Sequence, residues 1–483
     1  MNASTPDFKS QLSAVELTSR LDSLKKAYHL NPYPSWEQRK VWLQRLSQVI
    51  FDNKQRICDA INQDFGYRSP NDTLLAEVFP SLEGIRHAIG HGKSWMKPKS
   101  AATSIWFKPA KGKLMPQPLG VVGIMVPWNY PLLLAVGPLT NAITAGNRAF
   151  IKMSEYSPNF SILLDELLNK ALGADLVQVI NGEAETSAEF SRLPFDHLIF
   201  TGSTPVGRMV MKAASENLVP VTLELGGKSP AIVSPDMVRN PKRFHHAVAR
   251  IMSGKSLNAG QTCIAPDYVL IPRGTENEFL SLAKQIIAKR FPDGVASKDL
   301  TGIVSDRHYS RLQNMLVESS EKGGRVEPLM KTSVQEGRKI GLTLVFNSIE
   351  NTKLMQEEIF GPLMPIISYD TLDEALEYVR ARPRPLALYL FDDNASTQEM
   401  VMRKTIAGGV CLNDTLFHIA QDNMPFGGVG DSGMGHYHGK FGFDTMSKLK
   451  PIFIQAKYNS MELLAPPYGK LFSIMTGLLT RKV

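Results

Sequence analysis

Between Gly120 and Glu224 the chain alternates short apolar runs with helical patterns, and few folds accommodate that alternation. Val121-Val122-Gly123-Ile124-Met125-Val126 is a near-continuous apolar run. A strand apolar on both faces has to be buried on both. A helical stretch from about Leu132 to Ala145 follows, then a second strand, Asn147–Lys152. Helices over 161–172, 186–192 and 207–216 then alternate with strands over 177–180, 197–201 and 221–224. Parallel strands need crossovers, and helices are the usual crossover. The pattern predicts an α/β doubly wound parallel sheet.

A second α/β region runs from about Ala231 to Asn423, with strands expected over 268–271, 342–346, 364–367, 387–391 and 409–412. Helices are expected there over 276–290 and 372–381. Residues 8–66 read as helices, with Leu12, Val15, Leu17, Leu21 and Leu24 at roughly helical spacing and Pro32 and Pro34 as breaks. Ser104–Lys108 and Lys113–Pro116 flank Ala110-Lys111-Gly112, a pattern that predicts a hairpin. Trp106 and Phe107 on it face either another chain or the body of this one. The stretch from Phe426 to Gly435 is too rich in glycine for a regular element and reads as a loop pressed against other backbone. At 483 residues, two or three domains are expected.

The formal charge of +8 is spread along the chain without a Lys/Arg block, which argues against nucleic acid as a partner. A basic average suits a phosphate-bearing cofactor. Cys58, Cys263 and Cys411 lie far apart, so neither a disulfide framework nor a metal site is expected. Met1–Thr18 lacks the apolar core of a secretory leader, and no stretch reaches the ~18 apolar residues of a membrane span. The expected location is the cytoplasm.

Ligands bind at the carboxyl ends of the strands of a parallel sheet, and several polar motifs fall there. Asn129, in Pro127-Trp128-Asn129-Tyr130-Pro131, is either an amide donor to a developing oxyanion or a helix cap. Lys152 and Glu155 are either ribose ligands or a surface ion pair. Gly202, Ser203 and Gly207 suit a pyrophosphate at a helix start, or an ordinary turn. Glu224, before Gly226-Gly227, is either a base that activates water or an ion-paired carboxylate. Glu358 and Phe360, two residues apart, share a face in an extended segment, where a ribose and a flat ring could meet them; the alternative is a turn with a core Phe. Cys263, in Asn258-Ala259-Gly260-Gln261-Thr262-Cys263, is a nucleophile if such partners surround it and otherwise a small buried hydrophobe.

Taken in order, these motifs resemble the aldehyde dehydrogenase superfamily over about Arg39 to Pro451. Gly260–Tyr268 and Met424–Gly435 resemble its short-N-terminus, dimeric branch, and Asn413–His418 with Gly435–Gly439 resemble the bacterial coniferyl aldehyde dehydrogenases. The resemblance implies a Rossmann-type cofactor domain (1–102 and 119–230), a Cys-bearing catalytic α/β domain (231–423) and a small β oligomerisation element (103–118 and 424–450). Residues 451–483 form a tail that either packs on the body or lies on a membrane as an amphipathic helix. It implies Cys263 as nucleophile, Glu224 as base and Asn129 with the Cys263 N–H as oxyanion hole. Lys152 and Glu155 would hold the adenosine ribose, and Gly202, Ser203 and Gly207 the pyrophosphate. Glu358 and Phe360 would meet the nicotinamide half. Met153 stands where the family often has Pro, which leaves NADP open beside NAD as cofactor. The implied reaction takes an aldehyde, coniferyl type before medium- or long-chain aliphatic, to the acid in a homodimer. Tyr130, Thr415, Phe417 and His418 are candidates for the substrate wall. Release to coenzyme A and a fold without turnover are the rival readings.

Overall fold

The computed structural model describes residues 12–331, 337–459 and 465–480. Residues 8–11 of the expected helical stretch, most of Met1–Thr18 and parts of the C-terminal tail lie outside the described residues.

Three β-sheets organise the described residues. β1 (Lys99–Ala101) pairs antiparallel with β2 (Lys111–Pro118). β3 (Val121–Met125), β4 (Arg148–Lys152), β5 (Val177–Ile180), β6 (His197–Gly202) and β7 (Val221–Leu225) are the strands expected from the apolar runs, and they pair in parallel in the order β7-β6-β3-β4-β5. The next seven are β8 (Pro230–Val233), β9 (Tyr268–Pro272), β10 (Arg325–Pro328), β11 (Thr343–Phe346), β12 (Leu363–Tyr369), β13 (Ala387–Phe391) and β14 (Gly409–Leu412). They form a sheet in the order β10-β11-β12-β9-β8-β13-β14, in which only β10 is antiparallel. β15 (Gly433–Met434) joins the edge of the first sheet against β7, and β16 (Ser447–Ile454) returns to β2.

The alternation of side chains explains why β3 is apolar throughout. Val122 and Ile124 belong to one core with Leu139 and Ile143, while Val121 and Met125 belong to another with Leu17 and Leu21. From β3 the chain first builds outward through β4 and β5, then crosses back to lay β6 and β7 on the other side. The order reverses beside β3, and such a reversal opens a crevice beyond the carboxyl ends of the strands.

The hairpin expected around Ala110-Lys111-Gly112 does not form. Ile105–Phe107 is a 3₁₀ turn, and β2 pairs with β1 and β16. β16 matches β2 over eight register pairs, from Ser447 with Pro118 to Ile454 with Lys111, so the better partner comes from far along the chain. The glycine-dense stretch is pressed against backbone as expected: a Cβ at Gly427, Gly428 or Gly433 would collide with the carbonyls of Gly435, Ser432 and Leu223. Helices Pro241–Ser256 and Asp306–Glu321 escape the sequence patterns used above.

Candidate active site

A cavity of about 1000 Å³ opens at the reversal point. The ends of β3, β6 and β7 bring Asn129, Gly202, Ser203 and Glu224 to its wall, and the second α/β region brings Cys263, Glu358 and Phe360. Seven of the residues singled out in the sequence therefore share one cleft.

The Cys263 loop is held in an unusual backbone shape. Asn258 (φ 51°), Ala259 (φ 51°) and Gly260 (φ 72°) are left-handed in succession. Such a shape is costly for Asn and Ala and persists only where surroundings enforce it. Asn258 Nδ2 donates to the carbonyls of Asn129 and Gln261, each at 3.1 Å. Gln261 donates to the Gly302 carbonyl at 2.9 Å and accepts from the Val304 N–H at 3.1 Å. At Gly260 a Cβ would strike the Gly361 carbonyl. The loop thus presents Cys263 half-buried at the cavity wall.

Charge at the site follows from desolvation. Burial pushes the Cys263 thiol up to about 12, and the Glu358 and Glu224 carboxylates add to the rise. In the free protein the sulfur is therefore a neutral thiol near pH 7. Glu224 is buried, and neither carboxylate oxygen has a hydrogen-bond partner among the described residues. Burial raises its carboxyl well above the ordinary range. Burial, then Asp267, raises Glu358 to about 8, while the Gly227 N–H, Lys228 and Arg311 pull it back. A Cβ at Gly226 would occupy the position of the Glu358 carboxylate, so that glycine makes room for it.

The buried Asn129 amide donates to the Gln261 carbonyl at 3.2 Å. A primary amide carries two N–H groups, so a second remains for a ligand. Ser203 precedes the helix Thr204–Ser215, and Thr204 and Pro205 of its first turn line the cavity. The orphaned Glu358 oxygen, the room left at Gly226 and this helix start fit a dinucleotide. Phe360 (φ 49°) sets its ring edge-on to Trp128 at 5.3 Å, and Trp128 meets His308 at 5.1 Å.

Other expected residues stand apart from this wall. Lys152 is buried and donates to the Gly182 carbonyl at 2.6 Å; burial lowers its ammonium to about 8, with Glu155 opposing. Glu155 is exposed. Gly207 sits inside its helix, where a Cβ would lie 2.6 Å from Leu225, so it permits close helix–strand packing. Of the proposed wall residues, Tyr130 is buried with its hydroxyl 2.6 Å from that of Thr262. Thr415 donates to the Arg250 carbonyl at 3.0 Å. Phe417 is 54% exposed beneath the Arg250 guanidinium. His418 packs 6.1 Å from Tyr389, its ring nitrogens without partners among the described residues. None of these four lines the cavity with Cys263.

Cys58 is buried in the core and Cys411 half-buried on β14. His438 stacks on Phe426 at 5.4 Å, and among the described residues no cluster of three or more His, Cys, Asp or Glu could hold a metal ion. Three functional-looking residues had no signal in the sequence: Arg68, Asp72 and Glu77. Arg68 sits in a loop and Asp72 and Glu77 on the short helical segments after it, far from every motif, and only packing brings them beside the loops of the site.

The model of the "Aldehyde dehydrogenase family" matches residues 12–452. The chain is 49% identical over 462 residues to a "Probable coniferyl aldehyde dehydrogenase" of Pseudomonas aeruginosa, covering 96% of each. It is 42% identical to the "Coniferyl aldehyde dehydrogenase" of a Pseudomonas sp. strain, covering 95% of each. A solved structure of Staphylococcus aureus AldH in a substrate-bound state superposes with a TM-score of 0.90 at 36% identity, covering 97% of this chain and all of that one. The chain belongs to the aldehyde dehydrogenase family and oxidises aldehydes with NAD(P).

Proposed function

We propose that the substrate is an aromatic, cinnamyl-type aldehyde, coniferyl aldehyde first, and that Cys263 and Glu224 carry the two halves of the reaction. The carrying observation is that an unpartnered buried carboxylate and a half-buried thiol line one cavity with a spare amide N–H. The Cys263 sulfur, once deprotonated, attacks the aldehyde carbon. The Asn129 amide and the Cys263 N–H hold the oxygen as it gains charge. The cofactor, when bound, supplies the hydride acceptor; Glu358 and Phe360 would hold its nicotinamide half, Gly202, Ser203 and Gly207 its pyrophosphate side, and Lys152 and Glu155 its adenosine ribose. Glu224 then takes a proton from a water that attacks the thioester, and the acid leaves. A carboxyl kept neutral by burial becomes a strong base when it ionises, which suits this step. That base also favours water over coenzyme A as acceptor.

NAD is the proposed cofactor and NADP the alternative. Names of relatives support the substrate; Tyr130, Thr415, Phe417 and His418 stay as wall candidates. With an aldehyde panel run against each cofactor, we expect kcat/KM for coniferyl aldehyde to exceed that for hexanal by about 10-fold or more, the worth of one or two well-placed contacts. Equal values for the two aldehydes would remove the aromatic assignment, and acid formation only with added coenzyme A would remove the hydrolytic one.

The domain division we propose is the one the resemblance implies, a cofactor domain over 1–102 and 119–230, a catalytic domain over 231–423 and a bridging element over 103–118 and 424–450; the separate small sheet of β1, β2 and β16 supports it. We infer a homodimer built on that small sheet. Trp106, Phe107, Leu449 and Phe453 are large, apolar and exposed around it, more than a monomer usually leaves bare. Light scattering at micromolar concentration should give about twice the chain mass; a monomer would end this reading. No helix among the described residues is long and apolar enough to cross a membrane. We place the enzyme in the cytoplasm, where its three free thiols would stay reduced.

A further inference from the structure

We infer that the segment from Arg68 to Glu77 is a positioning bracket that aligns both donors of the oxyanion hole, with the Arg68–Glu77 ion pair as its centre. The inference rests on the role proposed for Asn129. Nothing in the reaction as described uses Arg68, Asp72 or Glu77, yet all three bond to backbone groups of the loops that carry Asn129 and Cys263.

Arg68 and Glu77 are both fully buried, and their side chains meet at 3.1 Å. Burying two charges is costly, and a pair placed for stability alone is often bettered by apolar side chains. This pair is instead spent on backbone groups of the Asn129 loop. Arg68 Nη1 donates to the Asn129 carbonyl at 2.6 Å. Glu77 accepts from the N–H groups of Leu132 at 2.7 Å and Leu133 at 3.3 Å, at the start of the helix that follows Asn129. The guanidinium also lies over the ring of Tyr130, 5.0 Å from its centroid. The Asn129 peptide is therefore gripped from one side by a cation at its carbonyl and from the other by an anion three residues on. Fixing that peptide plane fixes the Cα–Cβ direction, and with it where the amide N–H is aimed.

The second donor, the Cys263 N–H, is reached through Asp72. Its carboxylate accepts from the Asn258 N–H at 3.2 Å, the first residue of the left-handed turn, and from the Thr301 hydroxyl at 2.7 Å. Asn258 in turn donates to the same Asn129 carbonyl that Arg68 holds. The Tyr130–Thr262 hydroxyl pair closes the circuit. One segment thus sets the spacing between a loop of the first sheet and a loop of the second. Leu74–Val78 winds as a π-helical turn, a local shape common where a helix must re-aim a side chain, and Glu77 lies within it.

Oxyanion donors act through placement. Removing one costs about 10²–10³-fold in kcat, and a shift of about 1 Å can cost about 10²-fold. A purely structural pair would lower stability and leave the chemistry of the folded fraction alone. The test is a double-mutant cycle on the full enzyme with coniferyl aldehyde and NAD, using Asn129→Ala and the charge-free pair Arg68→Met/Glu77→Leu, which leaves no lone buried charge. Enzyme concentration is set by titrating folded sites with NADH fluorescence. We expect R68M/E77L to lose 10- to 100-fold in kcat with the Kd for NADH within threefold of wild type, and to lose at most about threefold further in the N129A background, because the donor it aims is gone. If that pair does not fold, Arg68→Lys carries the same test, since an ammonium cannot grip the carbonyl and Glu77 as a planar fork does. Wild-type kcat in the folded variants, or losses that multiply with that of N129A, would overturn the bracket while leaving Asn129 in its role. Full kcat in N129A itself would remove the oxyanion assignment, and the bracket would fall with it.

Discussion

Cys263→Ala lowers kcat by roughly 10⁴-fold or more, because no other group can form the covalent link to the substrate. Cys58 is buried in the core and Cys411 sits on β14, and neither lines the cavity, so no substitute thiol reaches it. The variant should still bind NADH, which separates lost chemistry from lost fold. Retention of more than about 1% of wild-type turnover would show that the sulfur is not the nucleophile. The same assignment has a pH signature. With the thiol at about 12 in the free protein, the reactive thiolate is a minor species, and its share rises about tenfold per pH unit. Alkylation of Cys263 by iodoacetamide, followed by mass spectrometry of its peptide, should accelerate by about tenfold per unit between roughly pH 7 and 9. A flat profile over that range would mean a thiol already ionised, and a site electrostatically unlike the one described.

Glu224→Gln separates the two halves of the reaction. Acylation and its reduced cofactor should appear once per site, after which turnover falls about 10²–10⁴-fold because the thioester is no longer hydrolysed at speed. A stopped-flow burst followed by a slow steady state is the expected trace, and an unchanged steady state would transfer the base role elsewhere. Stability should move the other way. The carboxyl is held well above 4.5 in the folded chain, so the folded state binds the proton more tightly than the unfolded one. Its contribution is complete below the unfolded value and is lost as pH rises toward the folded one. Glutamine has no such loss, so the Tm advantage of E224Q should be small near pH 5 and grow toward pH 8. A Tm difference that does not change with pH would mean that Glu224 is not held neutral.

Much of this site was legible before any coordinates. Asn129, Gly202 and Glu224 follow apolar runs that had to be parallel strands, and parallel strands align their carboxyl ends. Cys263, Glu358 and Phe360 could be joined to them only through the family resemblance, since they lie in loops that precede β9 and β12 of the other sheet. The hairpin near Ala110 was misread because local pattern cannot register a partner as distant as β16. The tight fit of Gly207 against Leu225, where a Cβ would lie at 2.6 Å, has no signal in the local pattern, because Leu225 belongs to the next strand.

The order of residues alone determined the alternating architecture of the first sheet and which side chains stand at its strand ends, because backbone periodicity and two-sided burial leave few alternatives. Tertiary structure decided the rest: the protonation of Glu224 and Cys263, the grip of Arg68 and Glu77 on the Asn129 loop, and the pairing of β2. Each of these depends on what surrounds a group once water has been excluded, and neighbours brought together from separate parts of the chain leave no trace in local pattern.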